Sequence, residues 1–179
     1  GATGVMKDAA GREYKTILVG DQLWMKENLN YEMADSYCYD NSSDMCAKYG
    51  RLYTGSAARR ACPTGWHLPK LSELSTLVSY VESTYMGTQR SGQSLKSKYY
   101  WKDSGAGTDY FGFSVLPAGA YDNLFYLFYA EGAAAYIKSS TEDLTTGVHC
   151  LYFNSDSDTV RLQNCLWDDG HSVRCILDE

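Results

Sequence analysis

The apolar residues of this chain fall mostly into short runs divided by Gly, Asp, Asn and Ser, the pattern of strands and turns more than of helices. Residues 5–31 read as an antiparallel hairpin. Tyr14, Ile17 and Val19 lie in a strand-like run, Gly20-Asp21 makes the turn, and Leu23-Trp24-Met25 resumes it. Asp8 and Gly11 mark an earlier turn. Residues 35–50 form a polar loop in which Cys38 and Cys46 stand close enough to bridge. One short helix is expected over 55–61. A second is expected from about Leu71 to Glu82, where Leu71, Leu74, Leu77, Val78 and Val81 share one face. Between them Cys62 to Pro69 forms an extended corner, and His67, beside Trp66 and near two prolines, reads as a structural side chain. Residues 84–109 read as a long loop pinned by Leu95 and Tyr99-Tyr100-Trp101. Strands are expected at 110–119, with Phe111, Phe113 and Val115 on one face, at 136–142 leading into a turn, and at 171–177.

Two stretches stand apart. Residues 121–130, YDNLFYLFYA, are densely aromatic, and residues 147–175 mix aromatic, acidic and amide side chains with three cysteines. The second stretch predicts two or three short strands joined by polar turns. Tyr121, Phe125, Tyr126, Phe128, Tyr129, Phe153 and Trp167 offer large contact area for few rotatable bonds, and Asn123, Asp156, Asp158, Asn164, Asp168 and Asp169 offer adaptable hydrogen bonding. Antibody paratopes use the same pairing of rigid rings and small polar groups. Alternation places His149, Leu151 and Phe153 on one side of a strand and Cys150, Tyr152 and Asn154 on the other, so about half of these residues are expected to be exposed. The candidate ligand face is therefore 121–129 together with 148–169.

Length and charge narrow the options. A chain of 179 residues fits one domain. Its net charge is −6, with no run of Lys and Arg to neutralise phosphates, which excludes nucleic acid as the partner. No apolar run approaches the roughly 18 residues of a membrane span. The opening residues GATGVM lack the form of a secretory leader, so the expectation is a leader removed before them, with an upstream lipid anchor as one route of attachment. Six cysteines with no C-x2-C pair favour disulfides over zinc, and hence an oxidising compartment. Six cysteines still allow 15 pairings.

Several segments, in order, resemble one family: Tyr14-Lys15-Thr16; Trp24 through Tyr31; Tyr37-Cys38-Tyr39-Asp40; Tyr49-Gly50-Arg51-Leu52-Tyr53; Cys62-Pro63 with Gly65-Trp66-His67-Leu68-Pro69; Gly112-Phe113-Ser114; Ser139-Ser140-Thr141-Glu142; and Ser172-Val173-Arg174-Cys175. The chain resembles the Fibrobacter succinogenes major paralogous domain family of secreted and surface proteins of gut bacteria. That family is similar to the C-type lectin-like fold, in the branch with formylglycine-generating enzymes and the variable proteins of diversity-generating retroelements. The resemblance implies a single α+β domain over 1–179. A hairpin and cysteine loop would occupy 1–54, and a lectin-like core 55–179, with two short helices packed on twisted antiparallel sheets and long loops. It also implies three disulfides: Cys62–Cys175 closing the domain, Cys38–Cys46 local, and Cys150–Cys165 tying residues 148–169 into a hairpin. Ile137, Lys138 and Gly170-His171-Ser172 depart from the family's pattern, and 121–129 and 148–169 depart most.

These readings converge on a non-catalytic domain, extracellular or on a bacterial surface, that binds an external protein or glycan through a variable aromatic and polar face. A diversity-generating retroelement would randomise adenines in Asn codons, and most residues at 121–129 and 148–158 are permitted outcomes of that rule. A structural surface module is the plainer alternative. An oxidase like the formylglycine-generating enzymes is the weaker one, because six cysteines in three structural pairs leave no reactive thiol. No cofactor is expected. Calcium is the lesser option, with hard oxygens at Asp35, Asp40 and Asp44, which lack EF-hand spacing, or at Asn154, Asp156 and Asp158, which a surface turn also explains.

Overall fold

A computed structural model describes residues 4–84, 90–143 and 147–179. The chain opens with β1 (Val5–Lys7), β2 (Glu13–Val19) and β3 (Gln22–Met25), paired antiparallel in succession. The Asp8 carboxylate shapes the first turn by accepting from the Ala10 and Arg12 N–H groups and from the Tyr14 hydroxyl. In β2 the residues Tyr14, Thr16 and Val19 are buried while Glu13, Lys15 and Leu18 face outward, which is the alternation of a strand with one wet face.

Next come β4 (Ser36–Tyr37), α1 (Ser43–Tyr49), β5 (Leu52–Tyr53), α2 (Gly55–Ala61), β6 (Trp66–His67), α3 (Leu71–Thr84) and α4 (Ser91–Leu95). Helix α3 buries Leu74, Leu77 and Val81, the face expected from their spacing. Helix α2 buries Ala57, Ala58 and Ala61, small residues that let it lie close to Tyr53, Met25 and Val173. The fold therefore has four short helices among the described residues, where two were expected. The two additions, α1 and α4, span 7 and 5 residues and lie in Ser- and Asp-containing segments whose composition reads as loop.

The remaining strands are β7 (Ala120–Asp122), β8 (Leu127–Tyr129), β9 (Ala134–Glu142), β10 (Gly147–Asn154), β11 (Arg161–Leu166) and β12 (Ile176–Leu177). Two main antiparallel sheets result. One has the order β1-β2-β3-β12-β6 and the other β11-β10-β9; β4-β5 and β7-β8 are separate pairs. The final strand thus sits inside the first sheet and brings the two ends of the chain together. The Cys62–Cys175 disulfide fastens this closure across 113 residues, a loop for which chain entropy gives about 4–5 kcal/mol. Cys38–Cys46 closes the local loop as expected. Arg174, fully buried, reinforces the same junction: its guanidinium donates to Asn28 Oδ1 and to the carbonyls of Met25, Phe113 and Ser114.

The principal core lies where α3 meets β9 and β10, and contains Trp24, Leu74, Leu77, Val81, Phe113, Ile137, Leu151 and Phe153. Trp24 and Phe113 meet edge to face at 5.7 Å. Residues 110–119 do not form the expected strand. Phe113 and Val115 are buried as predicted, but Gly112 and Ser114 take positive φ values of 72° and 54°, which no extended strand accommodates. The stretch 171–177 is likewise strand only at its end. Within 84–109, Leu95 and Trp101 are buried anchors, whereas Tyr99 and Tyr100 are exposed. That segment's residues 85–89, and residues 144–146 in the turn expected after β9, lie outside the described residues.

Candidate functional site

The hairpin β7–β8 is tied down on one side and bare on the other. Tyr121 stacks on Tyr37 at 4.3 Å and packs against Phe128 at 4.8 Å, and Phe128 in turn meets Tyr39 at 5.3 Å. These rings fix the hairpin to the loop held by Cys38–Cys46. At its base, Tyr121 and Gly170 exchange both main-chain hydrogen bonds, and Asp169 Oδ1 accepts from the Asn123 N–H. At its tip, Asp122 Oδ1 accepts from the N–H groups of Leu124 and Phe125, and Tyr126 takes a positive φ of 57° to complete the turn.

The other side carries Leu124 (71% exposed), Phe125 (67%), Tyr126 (73%) and Leu127 (61%), with Tyr129 at the edge. Burying that much apolar surface would be favourable anywhere it could be buried, and the fold leaves it in water. From Tyr129 a row of rings continues across the second sheet: Tyr129 meets Tyr136 at 6.3 Å, and Tyr136 meets Tyr152, its cross-strand partner, at 5.1 Å. Tyr152 faces Arg161 on the next strand and borders a cavity of about 210 Å³ lined also by Asn154, Asp156, Ser157, Thr159 and Arg161. Burial raises the Tyr136 hydroxyl to about 12 and raises that of Tyr129 as well, so both are neutral donors at physiological pH.

The expected face divides accordingly. Phe125, Tyr126 and Tyr129 are exposed on the hairpin, with Asn123 and Phe128 half-buried beneath. Asp156, Asp158, Asn164 and Asp168 are exposed, and His149 and Trp167 are half-buried. Four residues are misplaced as contact residues: Tyr121, Leu151, Phe153 and Asp169 are buried. Tyr121 anchors the hairpin and Asp169 caps it, while Leu151 and Phe153 enter the principal core. The alternation that set them beside His149 is interrupted by a register shift against β9 between Val148 and Cys150, so Val148, Cys150 and Leu151 are all buried. Trp167 is a packing residue as well. Its ring lies on Gly55, where a Cβ would come within 2.0 Å of it, and the Arg59 guanidinium sits 4.6 Å from the ring centre. The exposed Leu124 and Leu127 were missed, although their place in the aromatic run was visible.

The Cys150–Cys165 disulfide does not form; both are buried free thiols. Pairing of β10 with β11 sets Cys165 opposite Val148 and Cys150 opposite Gln163. The two cysteines are thus diagonal neighbours, offset by two positions across the strand pair, with their sulfurs within 4.8 Å of one another but unbonded. A ring nitrogen of His171 completes the group, and the three ligand-capable atoms lie within 4.8 Å of one another. Beside them Lys138, fully buried, donates to the carbonyls of Tyr53 (3.1 Å), Trp167 (2.9 Å) and Asp169 (2.6 Å). Burial lowers Lys138 to about 8, raises the Cys150 thiol and lowers His171, so the imidazole is neutral at physiological pH. The premise against an oxidase, that every cysteine is paired, therefore fails. Both thiols lie buried beneath the surface.

A larger cavity of about 590 Å³ lies elsewhere, at β6 and the start of α3. There His67 bridges two carboxylates, with Nδ1 at 2.5 Å from Asp178 and Nε2 at 2.8 Å from Glu73. Both ring nitrogens are thus engaged, in keeping with a structural role.

A mixed α+β domain, closed end to end by a long-range disulfide and presenting an aromatic hairpin, is the class of protein that the fold and face define. The chain belongs to the Fibrobacter succinogenes major domain family, matching it over residues 17–177. Neither a curated protein nor a solved structure matches it.

Proposed function

We propose that this is a non-catalytic binding domain of C-type lectin-like architecture, acting outside the cell or at its surface, and that hairpin 120–129 is the centre of its ligand face. The observation that carries the reading is the hairpin itself: four consecutive large apolar side chains, Leu124 to Leu127, held in water on a turn fixed from beneath by Tyr37, Tyr39 and Asp122. Rigid exposed rings lose little conformational entropy on binding, which is what makes aromatic anchors effective at interfaces. The tyrosine row and the acidic β10–β11 turn extend the face, and their hydroxyl and carboxylate groups suit a protein or glycan with polar and basic groups at its rim. Two disulfides suit an oxidising compartment, and no helix among the described residues is long and apolar enough to cross a membrane.

The test is a binding screen of arrayed glycans and surface proteins with the wild type and with the double variant Phe125→Ser, Tyr126→Ser. Ligands bound by the wild type and lost by the variant would carry the proposal. Ligands bound equally by both would move the face elsewhere. The absence of any ligand would favour a structural surface module. A near-copy of the gene's 3′ region that differs only at adenines would add that a retroelement diversifies the face.

A further inference from the structure

We propose that Cys150, Cys165 and His171 form a closed site for a thiophilic metal ion, best matched to monovalent copper. The inference stands apart from the ligand face. Two thiol sulfurs and an imidazole nitrogen, from β10, β11 and the segment before β12, converge within 4.8 Å, the spacing expected of atoms sharing one metal ion. All three residues are buried, and His171 Nδ1 has no hydrogen-bond partner among the described residues. Buried polar nitrogens are rarely left unsatisfied, and a metal bond is one way to satisfy this one.

Ligand type and number choose the metal. Thiolates with imidazole select soft ions, copper(I) and zinc, over calcium or magnesium. Structural zinc takes four protein ligands, and no fourth His, Cys, Asp or Glu joins this group among the described residues. Three ligands in a closed pocket suit copper(I), which is content with two or three. Charge points the same way. Two thiolates around a monovalent ion carry one net negative charge, and Lys138, buried with only carbonyl acceptors at hydrogen-bond distance, supplies the positive charge to balance it. The neighbouring Asp169 offers Lys138 its main-chain carbonyl, while its carboxylate accepts from the Asn123 N–H. Tyr136, Val148 and Trp167 wall the cluster with apolar surface. Loading transfers no electrons: two Cys–SH groups and one copper(I) ion yield the bis-thiolate complex and two protons released to solvent. Cys165 lies on β11, an edge strand of its sheet.

The test uses the full chain under anaerobic conditions with copper(I) supplied as its coloured bicinchoninate complex. One copper ion withdrawn per chain is expected, with X-ray absorption reporting two sulfurs and one nitrogen around it. Cys150→Ser or Cys165→Ser should weaken binding at least about a hundredfold, and His171→Gln by about tenfold. Loss of binding counts only if the variant keeps the wild-type circular dichroism; for one that does not, the absorption spectrum of the loaded wild type decides. Failure to withdraw copper, or undiminished uptake by the Cys150→Ser, Cys165→Ser double variant, would overturn the site. So would non-reducing peptide mapping that joins Cys150 to Cys165. Displacement of copper by equimolar zinc, with four-coordinate geometry, would overturn the choice of metal.

Discussion

The hairpin β2–β3 and the hairpin β7–β8 are built from the same motif and use it in opposite ways. In the first, Tyr14, Thr16, Val19, Trp24 and Met25 turn inward and the outward side is mostly polar. Its apolar residues are consumed by the core, and the hairpin is a wall. In the second, only Ala120, Tyr121 and, in part, Phe128 turn inward, and the larger share of the apolar surface faces water. The difference teaches that aromatic content does not distinguish scaffold from contact surface. What distinguishes them is whether a neighbouring element is present to cover the rings. Strands β12 and β6 extend the first hairpin's sheet, while the second is a free two-stranded ribbon held at its base and by one side.

Substitutions can break this comparison, beginning with the largest effect. Trp24→Ala removes a ring that is fully buried against Phe113 and should cost about 3–5 kcal/mol in chemical denaturation. A loss below about 1 kcal/mol would mean that the first hairpin is not part of the framework. Next, Lys138→Met strands the carbonyls of Trp167 and Asp169, while that of Tyr53 keeps the His171 N–H, and should cost about 2–3 kcal/mol, somewhat offset by the removal of a desolvated charge. Because two of those carbonyls belong to Trp167 and Asp169, faster amide exchange at Asn123 should accompany it; unchanged exchange would separate the lysine from the second hairpin.

Phe125→Ser and Tyr126→Ser should each change stability by no more than about 0.5 kcal/mol, because the rings already stand in water. A loss comparable to that of Trp24→Ala would show these rings packed and undo the contrast. The smallest effect is electrostatic. Burial by itself lowers the His67 pKa, but hydrogen bonds to Asp178 and Glu73 outweigh it and hold the pKa above the ordinary 6.5. The folded state therefore binds this proton more tightly. The stabilisation is complete below about 6.5 and is lost as pH rises through the raised folded value. His67→Gln should flatten that part of the profile of unfolding temperature against pH, and identical profiles for variant and wild type would dismiss the bridge.

Much of the scaffold was legible. The first hairpin, α2, α3, β9 and two disulfides lie where periodicity, turn residues and resemblance put them. The exposed part of the face was legible only as an aromatic run, since a ring at Phe125 and a ring at Tyr121 look alike in one dimension. Helix α4 was hidden by its shortness, being too short to show a repeating face, and α1 by its place in a polar, cysteine-tied segment that reads as loop.

By itself the sequence determined the local preferences: which residues turn, which alternate, and that the chain is rich in rings and poor in positive charge. Tertiary structure alone decided which rings are covered, because that depends on partners distant in the chain, such as Tyr37 for Tyr121. It also decided that Cys150 and Cys165 stay apart as thiols beside His171 and Lys138. A strand register is set by contacts along its whole length, and the offset of two residues that places those sulfurs diagonally is invisible until the strands pair.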